Sequence, residues 1–166
     1  MNHQIIDNFL PNHLFIPLKS EIVNNKYFSW NYMSSLNSEQ KTTDLSMYLI
    51  HMVYFEHTPV SSLWENLTQA VELLPELKAL IRIKVNFYPH TNVVREHMPH
   101  KDNHSARRWR GAIYCLNTCD GYTGFADGTE VDSVENRAIF FDATERHHST
   151  SCSNSSFRLN MNINYV

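Results

Sequence analysis

The rhythm of hydrophobic and polar positions changes near Leu80. From there to the end the chain alternates with a period of two, in runs at 80–88, 94–102, 108–117, 122–127, 130–134, 137–143, 147–152 and 157–165 separated by Asn, Asp, Gly and Pro. About eight short strands spaced this closely predict a sandwich or barrel of jelly-roll type. The last run is the most regular: Leu159, Met161, Ile163 and Tyr165 alternate with Arg158, Asn160, Asn162 and Asn164. Its apolar face suits packing beneath helices, and its polar face suits a wet pocket or solvent.

Before Leu80 the pattern is mixed. Gln4 to Asn8 reads as a short strand, and Pro11 opens a helix to about Val23 with Leu14, Leu18 and Ile22 at helical spacing. Tyr27 to Tyr32 reads as an aromatic strand. Leu45 to Phe55 fits both periods: Tyr48, His51 and Met52 suit a helix, whereas Met47, Leu49, Val53 and Phe55 suit a strand. Ser62-Leu63-Trp64-Glu65 has capping-box form and precedes an apolar stripe through Leu67, Ala70, Leu74 and Leu77, with a break near Pro75. The expectation is one mostly β domain (α+β) over 1–166. Its jelly-roll core lies in 80–166, and the helices and strands of 1–79 buttress it.

Composition narrows the class. The chain has 166 residues, 42% of them hydrophobic, with 9 Phe, 8 Tyr and 3 Trp, which is enough for a sizeable core and argues against disorder. A formal charge of −3 gives no general basis for nucleic-acid binding. The basic cluster Arg107-Arg108-Trp109-Arg110 reads first as a solvated strand start, and as a grip for an acidic or stacked group only second. Cys115, Cys119 and Cys152 show no CxxC pair and read as buried free thiols in a reducing compartment. The N-terminal residues carry no basic segment followed by an apolar stretch, and no apolar run nears the roughly 18–20 residues of a membrane span. The expectation is a soluble cytoplasmic protein.

Chemistry concentrates in Pro99-His100-Lys101-Asp102-Asn103. On a strand, residues two apart share a face, so His100 and Asp102 can reach one metal ion. His97 lies an odd number of residues from His100 and points the other way in a regular strand. His104 shares their parity but falls past the strand end. A second histidine from a later strand would complete a two-histidine, one-carboxylate face that suits non-haem Fe(II) and oxygen. His147 and His148 are adjacent, only one can face such a metal, and physics alone leaves the choice open.

Four stretches together resemble the Fe(II)- and 2-oxoglutarate-dependent oxygenases of the prolyl-4-hydroxylase-like branch. They are His100-Lys101-Asp102; Ala112 to Asn117; Asp120-Gly121-Tyr122-Thr123-Gly124-Phe125; and Asn136 to Asp142, continuing through His147 to Arg158. Their order and spacing match the family's HxD, "YLN" strand, "GGxTxF" turn and "NRxxxF…H…R" close, over about the last 70 residues. The stretch Asn2–Asn31 is similar to short members from marine bacteriophages and bacteria.

The resemblance implies His100, Asp102 and His147 as iron ligands, with His147 chosen because His147-His148-Ser149-Thr150 fits the family's histidine context. It implies Arg158 as the grip on the distal carboxylate of 2-oxoglutarate, with Tyr114 donating a hydrogen bond to the same group. It also implies Fe(II), 2-oxoglutarate and O2, with ascorbate as an auxiliary reductant, and hydroxylation of a C–H bond with release of succinate and CO2. Two positions depart from the pattern. Asp120 stands where the turn has glycine, and Asn160 stands where many relatives have Ser or Thr.

The branch suggests a protein or peptide substrate, a prolyl residue first, while relatives also act on small molecules. Substrate contacts are expected on the 31–47 and 103–110 loops. Three further readings remain. A structural zinc site with the same histidines and Cys115, Cys119 or Cys152 is weak, because zinc favours tighter pairs at turns. A cupin-like metal-binding protein on a similar barrel would not require Arg158 at its position, and the intact ligands and arginine argue against a non-catalytic structural module on the same fold.

Overall fold

The computed structural model describes residues 3–33, 47–103 and 108–166. Asn2, His104, Arg107 and most of the 31–47 loop, including Leu45, therefore lie outside the described residues. The architecture is mostly β, two facing sheets with helices on one side, as the alternation after Leu80 predicts.

The large sheet contains β1 (Gln4–Ile6), β2 (Asn31–Met33), β3 (Tyr48–Phe55), β4 (Thr58–Pro59), β5 (Leu80–Pro89), β6 (Arg110–Cys115), β9 (Arg137–Asp142) and β11 (Phe157–Tyr165). Its order is β1-β9-β6-β11-β5-β3-β2, with β4 paired to β3, and its neighbouring strands are antiparallel. The small sheet is β10 (His147–Ser149), β7 (Tyr122–Phe125) and β8 (Glu130–Asp132), in that order.

Helix α1 (Asn12–Asn24) starts after Pro11, whose missing N–H costs nothing at a helix start. It buries Phe15, Leu18 and Ile22 on the large sheet. The 62–77 segment does not form one helix. Ser62–Asn66 is a 3-10 helix followed by the single turn α2 (Thr68–Val71). Its cap is Ser61, whose hydroxyl accepts from the Leu63 amide at 3.1 Å, in place of the Ser62–Glu65 box. The stripe Leu63, Leu67, Ala70 and Leu74 is nonetheless buried, so apolar spacing sets the face although the turns tighten. The ambiguous 45–55 segment is strand β3 in its described part.

The second departure is 94–102. This segment forms no continuous strand; its ladder pairing is limited to isolated bridges at Glu96–Thr150 and His100–His147. Pro99, which has no N–H to donate, interrupts the ladder between them. His100 and His147 exchange both backbone hydrogen bonds at 2.9 Å, so the HxD segment closes directly onto β10.

Two cores result. The larger lies between helices and large sheet and takes Leu159, Met161, Ile163 and Tyr165 from β11. The smaller lies between the sheets and contains Ile113, Cys115, Phe125, Val131, Ile139 and Phe141. The polar face of β11 turns toward this intersheet space, and Arg158, Asn160, Asn162 and Asn164 are all buried. It faces a pocket, not solvent.

Candidate metal centre

The pocket between the sheets takes its floor from two paired strands. Antiparallel register sets Tyr88 opposite Arg158, Asn86 opposite Asn160, Lys84 opposite Asn162 and Arg82 opposite Asn164. Because side chains alternate, each of these pairs projects to the same side. The rim comes from His100, His147, His148 and Ser149, with Thr123 from β7 and Tyr48 from β3.

His100, Asp102 and His147 come together here, their ligand atoms all within 4.8 Å of one another. Each imidazole Nε2 stands 3.9 Å from an oxygen of Asp102. Of the two adjacent histidines, His147 faces this group. His148 lies against Gly124 on β7, with its Nε2 3.9 Å from Glu96. Asp102 sits at a bend, not in a regular strand, so its approach to His100 comes from chain closure onto β10 rather than from strand parity.

Asp102 is fixed from below. Asn162 and Asn164 donate their side-chain amides to Oδ2 at 2.8 and 3.0 Å, and Arg82 donates to Oδ1 at 3.2 Å. Burial opposes its ionisation, but His147, Arg82 and the two amides outweigh that and hold the carboxyl below the ordinary carboxylate range. His100 is pushed down to about 4, first by desolvation and then by His147, so it is a neutral imidazole with a free lone pair at neutral pH. His147 Nδ1 lies 3.1 Å from the Glu145 carbonyl, which orients its ring. Imidazole nitrogens and an ionised, oriented carboxylate are the donor types a divalent transition metal takes.

Arg158 is completely buried one level along the same floor. Its guanidinium donates to the Thr150 carbonyl at 3.1 Å and to Thr123 Oγ1 at 2.9 Å, lies 5.8 Å from the Tyr88 ring centroid, and leaves Nε without a partner. Gly121 makes this possible. A Cβ there would stand 2.5 Å from the Ser151 carbonyl and 2.7 Å from Arg158 Cδ. Asp120 needs no such freedom, and instead accepts from the Ser153 amide at 2.8 Å and its hydroxyl at 2.5 Å. Asn160 accepts from Asn86 at 2.9 Å.

Tyr114 is not in this pocket, which corrects the role expected of it. Within β6, Ala112 and Tyr114 face the helices while Ile113 and Cys115 face the other sheet. The Tyr114 hydroxyl donates to Asn136 Oδ1 at 2.7 Å, and its ring packs edge-on against Phe9 and Phe15. Asn136 in turn exchanges hydrogen bonds with the Leu10 backbone, so Tyr114 belongs to the joint that seats α1. The pocket tyrosines are Tyr88 and Tyr48, stacked at 5.5 Å. With Arg82, Lys84 and Asn86, they are the site residues that the reading of motifs alone passed over. Their signal was the polar alternation 82, 84, 86, 88 in β5, the counterpart of that in β11. His97 is also nearby, its ring 5.1 Å from Tyr88 and its Nδ1 2.8 Å from Ser149 Oγ, but it is not among the clustered donors.

Five buried polar atoms without a hydrogen-bond partner lie in or beside this pocket: Arg82 Nε, Asn86 Oδ1, His148 Nε2, Arg158 Nε and Asn164 Oδ1. Their concentration fits a site completed by a polar ligand. A larger cleft of about 860 Å³, lined by Glu76, Arg108, Trp109, Arg110, Asp142 and others, holds none of the three clustered donors. Donor chemistry outweighs size in locating the centre. The basic residues there are already paired, Arg108 with Asp142 at 3.5 Å and Arg110 with Glu76 at 3.1 Å. A second close group, His3, Asp127 and Glu145, lines neither the pocket floor nor its rim.

No family profile and no curated protein matches the chain in sequence. Solved structures match along nearly all of it. A prolyl-4-hydroxylase from Pseudomonas putida superposes with a TM-score of 0.69 at 17% identity, covering 98% of this chain and 91% of that one. A prolyl hydroxylase from Trichoplax adhaerens gives 0.66 at 16%, covering 98% and 82%. A 2OG-Fe(II) oxygenase family oxidoreductase from Burkholderia pseudomallei gives 0.72 at 9%, covering 98% and 84%. The chain therefore has the fold of the prolyl-4-hydroxylases and other 2OG-Fe(II) oxygenases.

Proposed function

We propose that this protein is an Fe(II)- and 2-oxoglutarate-dependent dioxygenase that hydroxylates a C–H bond. The observation that carries the reading is the convergence of His100, Asp102 and His147 at a pocket over the polar face of β11, the face from which the buried, incompletely paired Arg158 also projects and reaches the pocket residue Thr123. Fe(II) with 2-oxoglutarate and O2, when bound, supplies oxidative decarboxylation to succinate and CO2 coupled to substrate hydroxylation.

The chain's part is to bind, orient and exclude. His100 offers a neutral imidazole nitrogen, His147 a second imidazole nitrogen and Asp102 a carboxylate oxygen, a donor set that would hold Fe(II). Asn162, Asn164 and Arg82 keep Asp102 ionised and aimed, so its position does not depend on the metal alone. Arg158 presents a planar fork of N–H groups that matches the distal carboxylate of 2-oxoglutarate, and its Nε has no competing acceptor. The intersheet core of Ile113, Phe125 and Phe141 beside the centre keeps bulk water away.

A prolyl residue of a protein or peptide is the first substrate candidate. The Trichoplax neighbour is described as a prolyl hydroxylase in complex with a peptide fragment of a hypoxia inducible factor, which favours a peptide over a free metabolite. Ascorbate would act as an auxiliary reductant.

Anaerobic titration of the protein with Fe(II), with and without 2-oxoglutarate, tests the reading through the visible metal-to-ligand charge-transfer band. Wild type is expected to develop the band, and His100→Ala and Arg158→Ala to weaken or lose it. A wild type without a band, or variants that leave it unchanged, would sink the proposal. Succinate release with candidate prolyl peptides then sorts substrates.

A further inference from the structure

The pocket holds more positive charge than its described partners use. Arg82, Lys84 and Arg158 all project from the floor, and Asp102 is the carboxylate that the described ion pairs place among them. Arg82 is committed, at 3.2 Å to Asp102 and 3.1 Å to Asn162 Oδ1. Arg158 is held by Thr150 and Thr123 for the distal carboxylate. Lys84 is left over. It lines the pocket with His100 and Asn162, it is half-buried, and among the described residues no ion pair or hydrogen bond joins it to an acid. Its ammonium stands 5.7 Å from the Tyr48 ring centroid.

A lysine in this setting costs stability unless something offsets the lost hydration. Desolvation, helped by Arg82 and opposed by Asp102, brings its pKa down to about 8, so at neutral pH most of the population still carries the charge. The aromatic face of Tyr48 offsets only part of the desolvation. The remaining demand is for an anion, and the pocket is where that anion can reach it.

We infer that Lys84 is a second carboxylate-binding point of this pocket, beside the metal centre and separate from Arg158. Four residues along β5 separate Lys84 from Tyr88, the register partner of Arg158, or roughly 13 Å of extended backbone that the lysine side chain can partly span. A small dicarboxylate pinned at Arg158 and directed at His100 and His147 brings its other end to the Lys84 side. The inference rests on the oxygenase reading for the origin of the carboxylate. That origin is either the metal-side end of 2-oxoglutarate or a carboxylate on the substrate.

Calorimetric titration with 2-oxoglutarate, on metal-free protein and on anaerobic Fe(II) protein, decides it for wild type, Lys84→Met and Lys84→Arg. Methionine keeps the unbranched stem and removes the charge, while arginine keeps the charge. If the cosubstrate is the partner, Lys84→Met weakens 2-oxoglutarate about tenfold or more, the size of one charge-assisted hydrogen bond, and Lys84→Arg recovers most of it. If the substrate is the partner, 2-oxoglutarate affinity stays constant. Stimulation of succinate release by a peptide ending in a free C-terminal proline over its C-terminal amide is then lost in Lys84→Met and kept in Lys84→Arg. Should both readouts stay at wild-type values in a folded Lys84→Met protein, the inference is wrong while the oxygenase reading survives. A wild type without the charge-transfer band but with Lys84-dependent 2-oxoglutarate binding has the opposite meaning. A wild type that binds no 2-oxoglutarate in either form overturns both.

Discussion

The two faces of β11 are equally buried and chemically opposite. Leu159, Met161, Ile163 and Tyr165 sit in the large core under the helices, while Arg158, Asn160, Asn162 and Asn164 are buried on the intersheet side, where Asn160 and Asn162 line the pocket. The apolar face gains stability from leaving water. The polar face gains little, because each buried amide or guanidinium must find a partner merely to break even. Asn162 and Asn164 find theirs in Asp102, and Arg158 in Thr123 and Thr150, yet Arg158 Nε and Asn164 Oδ1 find none. On the apolar face the one comparable atom is the Tyr165 hydroxyl, which lies near Arg110. One strand thus carries both an apolar face that drives folding and a polar face whose donors and acceptors are left incompletely paired.

Substitutions should separate these faces. The largest effect is expected for Asp102→Ala, which removes the sole carboxylate of the donor set and takes away the acceptor that Arg82, Asn162 and Asn164 share. Fe(II) binding, followed by the charge-transfer band or by metal content after desalting, should disappear while the chain still folds. Retention of one tightly bound Fe(II) would remove the polar face from the account.

On the other face, Leu159→Ala should destabilise by about 2–5 kcal/mol through lost burial and a cavity. Denaturant unfolding measures it, and the surviving folded fraction should bind 2-oxoglutarate as wild type does. A large affinity loss in that fraction would mean that the faces are coupled across the strand. Arg158→Lys comes next, with 2-oxoglutarate affinity falling about tenfold to a hundredfold, because an ammonium cannot reproduce the planar fork. Calorimetry reads that change, and an unchanged affinity would place the distal carboxylate elsewhere.

The same contrast explains which parts were legible in the residues. The alternation of 157–165 identifies β11 to the residue, because one side is wholly apolar and the other wholly polar. β6 gives no such cue. Ala112, Ile113, Tyr114 and Cys115 are buried on both sides, so nothing in their order says that Cys115 rather than Tyr114 turns toward the pocket. The 94–102 segment reads as a strand by composition, but Pro99 leaves it joined by bridges, and the closure at His100–His147 is a long-range pairing that no local pattern encodes. The 62–77 helix fails for a related reason: its apolar spacing is satisfied by a 3-10 turn and a short α turn docked on the sheet. Arg82 and Lys84 were visible as polar positions in β5. Their meaning came only with β11 beside them and Asp102 above.

The smallest expected effect is a pH dependence that belongs to the polar face alone. In metal-free protein His100 titrates near 4, against about 6.5 for an unperturbed histidine. Between those values the unfolded chain binds a proton that the folded chain refuses, so stability should be full above about 6.5 and fall as the pH drops toward 4. Below that, Asp102 continues the decline, because its carboxyl is held below the ordinary range and the unfolded chain protonates first. The His100 ring is 25% exposed, and solvent screening reduces its share to about 1–2 kcal/mol. His100→Gln should flatten the upper part of the profile and leave the lower part in place, whereas Ile163→Val on the apolar face should shift the whole curve without changing its slope. Unfolding midpoints in urea at half-unit pH steps measure both. An unchanged slope in His100→Gln would mean that the histidine is not held neutral by its surroundings, and the neutral-ligand argument for the centre would lose its electrostatic support.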